Sequence, residues 1–298
     1  MLDQSLQSTK HKIDGDPLSP AFHRLPDEPL IVIEAGRSRF HLAWGEIWQH
    51  RELLYFMIWR DLKVRYKPTA LGLPWVVLQP VLTTAVFTVF LGLLARVPSD
   101  NLPYPLLVFS GLLPWTFFAN AVSNSSYSLI SNAHIITKVY FPRLIIPAAV
   151  VGERVVDFGI SFVILVAMMI FYGASIGPSL LMLVPLFLLL VLFSLGASFW
   201  AAAVNVKYRD IGIALPVLIQ LGMFISPVVY PSTLVPERWR WLYLMNPVSG
   251  IIEGFRAALF GRDFDWLSLG VAAIFTAALV TYAAVAFMRM EEKFADVV

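Results

Sequence analysis

Five stretches of the chain, 68–95, 101–137, 158–206, 211–236 and 266–288, contain no Asp, Glu, Lys or Arg, and together they take up 163 of the 298 residues. All 42 charged side chains crowd into the remainder. A water-soluble domain cannot sort its charges this way, because charged groups must be spread over a surface that faces water. The pattern fits a chain whose solvent is largely a lipid bilayer. Crossing about 30 Å of hydrocarbon takes about 20 apolar helical residues. Hydropathy and break points predict six spans, over about 73–95, 106–129, 144–172, 180–204, 211–230 and 267–288. Each is too long and too continuously apolar for a membrane β-strand, which would alternate over about 10 residues. The expected fold class is an all-α integral membrane protein with six transmembrane helices.

Cysteine is absent, which removes thiol catalysis, disulfides and Cys-ligated metals. The net charge of +2 gives no general affinity for nucleic acid. Residues 1–30 lack the apolar core of a cleavable signal and contain Pro17, Pro20, Pro26 and Pro29, so they read as a flexible tail. With the N-terminus inside, ten Lys and Arg flank span ends on the inner side and five on the outer side, the latter being Arg96, Arg238, Arg240, Arg256 and Arg262. The excess places both termini in the cytoplasm.

Residues 31–67 form the expected amphipathic interface segment on the cytoplasmic side, ahead of a transmembrane domain over 68–298. Trp44, Ile47, Trp48, Tyr55, Ile58, Trp59, Leu62 and Tyr66 recur at helical spacing, with Arg51, Arg60, Lys63, Arg65 and Lys67 mostly off that stripe. An aromatic face with a basic rim suits the headgroup boundary. It serves either as an anchor that orients the first span or as a strut that contacts a partner. The second span is polar in its later half, from Asn120 through Ser131; those groups either tie helices together or line a watery path. The third span holds Glu153, Arg154 and Asp157. Arg154 and Asp157 are three apart and share a helix face, as a structural pair or as a gating or anion-holding group. The segment 226–262, cut by Pro227, Pro231, Pro236 and Pro247, is expected to re-enter the membrane from the outer side or to lie on it as a surface loop.

Enzymatic signals are missing. The dipeptide Gly-Lys never occurs, so no phosphate loop exists. Gly173-Ala174-Ser175-Ile176-Gly177 spells Gly-x-Ser-x-Gly, but it falls in the break between two apolar helical runs and not on the strand-to-helix turn that a nucleophile elbow needs. The five histidines do not pair at ligand spacing, and no metal site is expected. The chain therefore reads as a transporter driven from outside itself, not as an enzyme.

Two inner-side segments then carry a resemblance. Trp59-Arg60-Asp61-Leu62-Lys63-Val64-Arg65-Tyr66 runs into Leu71-Gly72-Leu73-Pro74-Trp75 and Gln79-Pro80. Ser131-Asn132-Ala133-His134-Ile135-Ile136-Thr137-Lys138-Val139-Tyr140-Phe141-Pro142-Arg143 follows Phe109-Ser110-Gly111-Leu112-Leu113-Pro114-Trp115. With Asn205-Val206-Lys207-Tyr208-Arg209-Asp210 and Ser226-Pro227-Val228-Val229-Tyr230-Pro231, the set resembles the ABC-2-type permeases that export O-antigen, capsule polysaccharide and teichoic acid. The resemblance implies a homodimer bound to two separate ABC ATPase subunits, which would bind the ATP and Mg and leave this chain without a cofactor. It implies a cargo of lipid-linked polysaccharide and a place in the bacterial inner membrane, among membrane lipids.

It further implies that 132–142 is a coupling helix seated in the ATPase. Asn132, Ile135, Ile136, Lys138, Val139, Tyr140, Phe141, Pro142 and Arg143 would make that contact, with Ile135, Ile136, Val139, Tyr140 and Phe141 as exposed apolar knobs. Lys207, Arg209 and Asp210 would add a smaller one. Spans one and five would line the conduit. Trp75, Phe87, Trp115, Phe117, Phe118, Phe224 and Tyr230 are its aromatic candidates, and Trp239, Trp241, Tyr243 and Asn246 stand near an outer gate. Lipid-facing or core packing is the competing reading for each aromatic. The rival functions are an ABC-2 permease for drugs or simple lipids, an ion-coupled carrier and an assembly protein.

Overall fold

The computed structural model describes residues 45, 48–66, 72–138, 141–174 and 177–297. The expected tail over 1–30 and the beginning of the interface segment, Trp44 and Ile47 included, lie outside the described residues. Every regular element among them is helical. In chain order these are α1 (Arg51–Tyr66), α2 (Gly72–Phe87), α3 (Tyr104–Ser131), α4 (Ala133–Ile136), α5 (Ile145–Phe171), α6 (Leu183–Lys207), α7 (Asp210–Ile225), α8 (Arg240–Met245), α9 (Pro247–Phe260) and α10 (Trp266–Val297). Among the described residues, five helical stretches are long and apolar enough to cross a membrane: Pro74–Leu94, Tyr104–Ser131, Ile145–Phe171, Pro178–Lys207 and Trp266–Met290. The chain is a multi-pass membrane protein.

The fifth expected span, 211–230, is shorter than its apolar run. Helix α7 stops at Ile225, because Ser226 turns to an extended conformation ahead of Pro227, which has no amide hydrogen to continue the ladder. Its 16 residues reach about 24 Å. At the end of α2 the ladder changes instead of stopping. Thr88–Leu94 is π-helical, and the amide of Ala95 bonds the carbonyl of Phe90 at 3.0 Å.

Helix α3 is the hub. It packs against α2, α5, α6, α7 and α9, and 72% of its central window is buried, against 6% for the first span. One core joins Leu107, Leu112 and Trp115 of α3 to Leu190 and Phe193 of α6 and to Ile251, Ile252 and Phe255 of α9. A second core, at the other end, gathers Met57, Leu129, Ile145, Phe199 and Phe287. Lipid tails are as apolar as these side chains, so close contact has to hold the helices together. Small residues permit it: Ala201, Ala202 and Ala203 are fully buried, and a Cβ on Gly196 would lie 3.0 Å from Val280 Cγ2.

The polar half of α3 divides between the two expected roles. Ser125, Ser126 and Ser128 are buried. Ser126 and Ser128 donate to carbonyls of their own helix, and Ser125 donates across to Pro147 O at 3.3 Å. Asn120 and Asn124 are exposed, and Asn120 borders an open cleft.

Segment 226–262 is helical and buried over α9. Asn246 caps that helix by accepting from Val248 N at 3.1 Å, Pro247 fills its first turn, and Gly261 ends it in the left-handed region at φ +63°. These are ordinary start and stop signals. Close approach is tightest at Gly111, where an added Cβ would fall 2.1 Å from Val228 O and 2.8 Å from Arg256 Nη2. Gly111→Ala is expected to destabilise the protein by about 1–3 kcal/mol or more. Gly270→Ala, with open space at its Cβ, should be neutral. Thermal unfolding in lipid nanodiscs compares the two, and equal melting temperatures would contradict the packing.

Candidate functional site

The inner end of the bundle is built on the loop between α3 and α5. Asn132 ends α3, donating from Nδ2 to Ser128 O at 2.9 Å and accepting at Oδ1 from Arg60 Nη2 of α1 at 3.2 Å. A single turn follows over Ala133–Ile136. Ile136 and Phe141 do not project as exposed knobs. They are 7% and 5% exposed and lie in the second core with Met57, Leu129 and Phe199, and Ile135 packs on the same core. The apolar residues of a loop this short fold back under α1 because that removes them from water. The surface left outward consists of His134, Thr137 and Lys138, with Pro142 and Arg143 partly buried. Val139 and Tyr140 lie outside the described residues.

Beside it stands the α6–α7 corner. Lys207, Tyr208, Arg209 and Asp210 are all exposed, and Lys207 Nζ sits 4.9 Å over the Tyr208 ring. Asn205 holds the corner from beneath. It is fully buried, donates to Ser126 O at 2.9 Å and accepts from Gly212 N at 2.8 Å. One amide thus closes the turn and ties it to α3.

Helix α1 runs from this end toward α5. Ile58, expected on the outward stripe, packs instead over Gly152, next to the buried Met57. Trp48, Tyr55 and Trp59 of the same stripe are exposed. Its last turn is pinned to α5. Arg65 Nη1 meets Asp157 Oδ2 at 2.9 Å and Arg65 pairs with Glu153, while Arg154 Nη1 meets Asp157 Oδ2 at 2.9 Å. The Tyr66 hydroxyl donates to Asp157 Oδ1. Burial first, then that hydrogen bond, holds the Tyr66 hydroxyl well above its ordinary value, so it stays protonated. Two cations and two carboxylates cancel, so the group joins two helices and offers no net charge to an anion. It borders a cleft of about 170 Å³ whose polar wall includes Gln79, Thr83, Thr116, Asn120 and Ser161.

The conduit candidates separate by burial. Trp115 and Phe117 are 5% and 4% exposed, and Phe117 packs edge-on against Phe158 and Phe187. Phe118 stacks on Phe193 at 5.1 Å, and Phe87 packs on the first core. Trp115, Phe117 and Phe118 are core aromatics, because α3 is enclosed on nearly every side, and Phe87 of α2 is half-buried at the edge of that core. Trp75, Phe224, Trp239 and Trp241 are exposed.

Outside α7 the chain crosses buried, non-helical backbone at Ser226–Tyr230. Side chains from elsewhere take its carbonyls. Arg256, 1% exposed, donates to Val228 O at 2.9 Å, Tyr230 O at 3.2 Å, Leu107 O at 3.1 Å and Glu253 Oε1 at 3.0 Å. Tyr104 donates to Val229 O at 2.8 Å. Tyr230 donates to Phe224 O at 2.9 Å and its hydroxyl meets that of Tyr243. Asn246 Nδ2 reaches Ser226 Oγ at 2.9 Å. Sequence reasoning counted Arg256 as an outer loop cation. The missed signal was its place on the apolar face of a capped helix, three residues after Glu253.

Comparison with known proteins adds a family. The profile described as ABC-2 type transporter matches residues 52–260. The chain is similar to the O-antigen export system permease protein RfbA of Klebsiella pneumoniae, at 29% identity over 248 residues, 83% of this chain and 95% of that protein. It is similar to the protein of the same name from Myxococcus xanthus, at 29% over 255 residues, 84% and 97% of the two chains. It also resembles the polysialic acid transport protein KpsM of Escherichia coli, at 26% over 242 residues, 78% and 91%.

The inner loop yields a direct check. Phe141→Ala is expected to lower stability by about 3–5 kcal/mol through lost packing. Lys138→Ala at the exposed neighbouring position should stay within about 0.5 kcal/mol. Melting curves of the two purified variants distinguish a core Phe141 from an outward one.

Proposed function

Since the chain belongs to the ABC-2 type transporter family, we propose that it is the permease subunit of an ATP-driven exporter that moves lipid-linked polysaccharide across the bacterial inner membrane. The observation that carries this is the extent of the likeness to O-antigen export permeases, 95% and 97% of their lengths. The polysialic acid relative points to the same cargo class and away from drugs or simple lipids.

In this reading a separate ABC ATPase, two copies per permease homodimer, binds ATP and Mg. It docks on the inner face, whose exposed groups at the α3–α5 loop and the α6–α7 corner are His134, Thr137, Lys138, Lys207, Arg209 and Asp210. Val139 and Tyr140 belong to the same docking loop. Ile136 and Phe141 act beneath it, passing displacement of the loop into the bundle. Both termini are cytoplasmic. With Arg256 removed from the outer count, because it is buried, the positive-inside excess is larger.

Residues 68–298 make the transmembrane domain, with α7 as its sixth crossing, completed by the bent 226–231 stretch. The amphipathic interface segment spans 31–67, with Trp48, Tyr55 and Trp59 toward the headgroups. Helices α8 and α9 re-enter from the outer side. Spans one and five face their copies across the dimer axis; Trp75 and Phe224, both exposed in the single chain, border the conduit. Tyr230, Trp239, Trp241 and Asn246 border its outer gate.

Lys138→Glu combined with Arg209→Glu tests the docking face. Both sites are exposed, so the variant should melt like the parent. Co-purification of the ATPase should fall by at least about tenfold, and surface polysaccharide should be lost. Normal co-purification with normal export would refute the docking face. Polysaccharide transport by the permease reconstituted without any ATPase would refute the function itself.

A further inference from the structure

A second cleft, of about 360 Å³, lies between the 232–235 turn, α8, α9 and the start of α10. That is the lower end of the size range of small-ligand sites, about 300–1,000 Å³. Its wall carries Ser232, Tyr243, Ser249, Glu253, Asp263 and Ser268, with Val235, Leu244 and Ala257 supplying apolar patches between them. Much of the surrounding polarity is already engaged. Arg262 holds the loop at Asp100, donating to its carbonyl at 2.8 Å. Asp265 accepts from Ser268 N at 3.2 Å. Glu253 gives one oxygen to Arg256 at 3.0 Å, which leaves its second.

Two groups stand out against that background. Ser249 is 3% exposed, and its Oγ has no hydrogen-bond partner among the described residues. A buried hydroxyl without a partner costs about 1–3 kcal/mol, and this one borders an open cleft. Asp263, exposed on the same wall, meets no ion-pair or hydrogen-bond partner among the described residues. A hydroxyl, a spare carboxylate oxygen, a free carboxylate and a phenol, interleaved with short apolar patches, match the alternation of hydroxyl and C–H faces on a sugar ring. A metal is a poor match, because no three His, Cys, Asp or Glu among the described residues are grouped to ligate one. The charge balance selects further: three carboxylates, Glu253, Asp263 and Asp265, face two guanidinium groups, Arg240 and Arg262. The formal sum of −1 disfavours acidic sugars.

We propose that this cleft is a binding site for one or two neutral sugar units of the exported chain, held by Ser249, Glu253 and Asp263. The site rests on the polysaccharide reading above and narrows it to neutral glycans. At the outer side it would hold the emerging chain against backsliding between power strokes.

The test uses the full-length protein in lipid nanodiscs, free of glycoside detergents. Mannobiose, galactobiose and maltose are the neutral probes and oligosialic acid the acidic one, with binding followed by saturation-transfer NMR. At least one neutral disaccharide should bind saturably. Ser249→Ala and Asp263→Asn, which disturb no internal hydrogen bond, should each weaken it about 3–10-fold while melting temperature holds. Absence of saturable binding by all three neutral probes overturns the site, as does equal or tighter binding of oligosialic acid, or binding indifferent to both substitutions. Polysaccharide export by the parent protein with its ATPase is measured alongside. Export without binding sinks the site alone, and absence of ATPase-dependent export sinks the functional reading.

Discussion

A carbonyl buried away from water and left without a donor is expensive, and in hydrocarbon nothing else supplies one. The interruption at Ser226–Tyr230 is where this chain takes that risk. Three consecutive carbonyls, those of Val228, Val229 and Tyr230, are satisfied by the side chains of Arg256 and Tyr104. Arg256 is itself admissible only because Glu253 and three backbone carbonyls surround its guanidinium, since an unpaired buried cation would not be tolerated. The absence of a side chain at Gly111 leaves room for this arrangement. Removing Arg256 strips the carbonyls of Val228 and Tyr230 of their side-chain donor, so the bend depends on α9.

The inner end solves a different problem. Its loop is short and apolar, and it is covered by α1, which is held at two points. Arg60 holds Asn132 near one end of the loop, and Arg65 and Tyr66 hold Asp157 on α5. The loop and α1 are thus joined by a hydrogen bond and shared packing, and α1 is joined to α5 by an ion pair and a hydrogen bond. This continuity of hydrogen bonds and packing is a physical connection between a surface loop and the interior of the bundle.

Most of the fold was legible in the chain. Absence of charge over long runs located four of the five long spans, and prolines and glycines marked several of the helix ends. What stayed hidden depends on which residues meet across the fold. Ile136 and Phe141 look like docking groups in a loop, because the sequence does not tell that Met57 lies over them. Trp115 and Phe117 look like conduit aromatics, because nothing in the local pattern tells that α3 is central. The Arg154–Asp157 pair was readable from its spacing of three, whereas its partners Arg65 and Tyr66 lie about 90 residues away. Asn205 was visible only as part of a motif; its two bonds emerge from the α6–α7 corner.

The π-helical turn at Thr88–Leu94 stores one surplus residue in the ladder of the first span. Such a surplus behaves like a dislocation in a crystal: it can glide along the rod by exchanging hydrogen bonds one at a time, with none lost on balance. Gliding from there toward Pro80 would swivel every side chain in between by about 100°, the angle of one residue step. Such a shift would let the least buried span present a different face to its surroundings without being unwound.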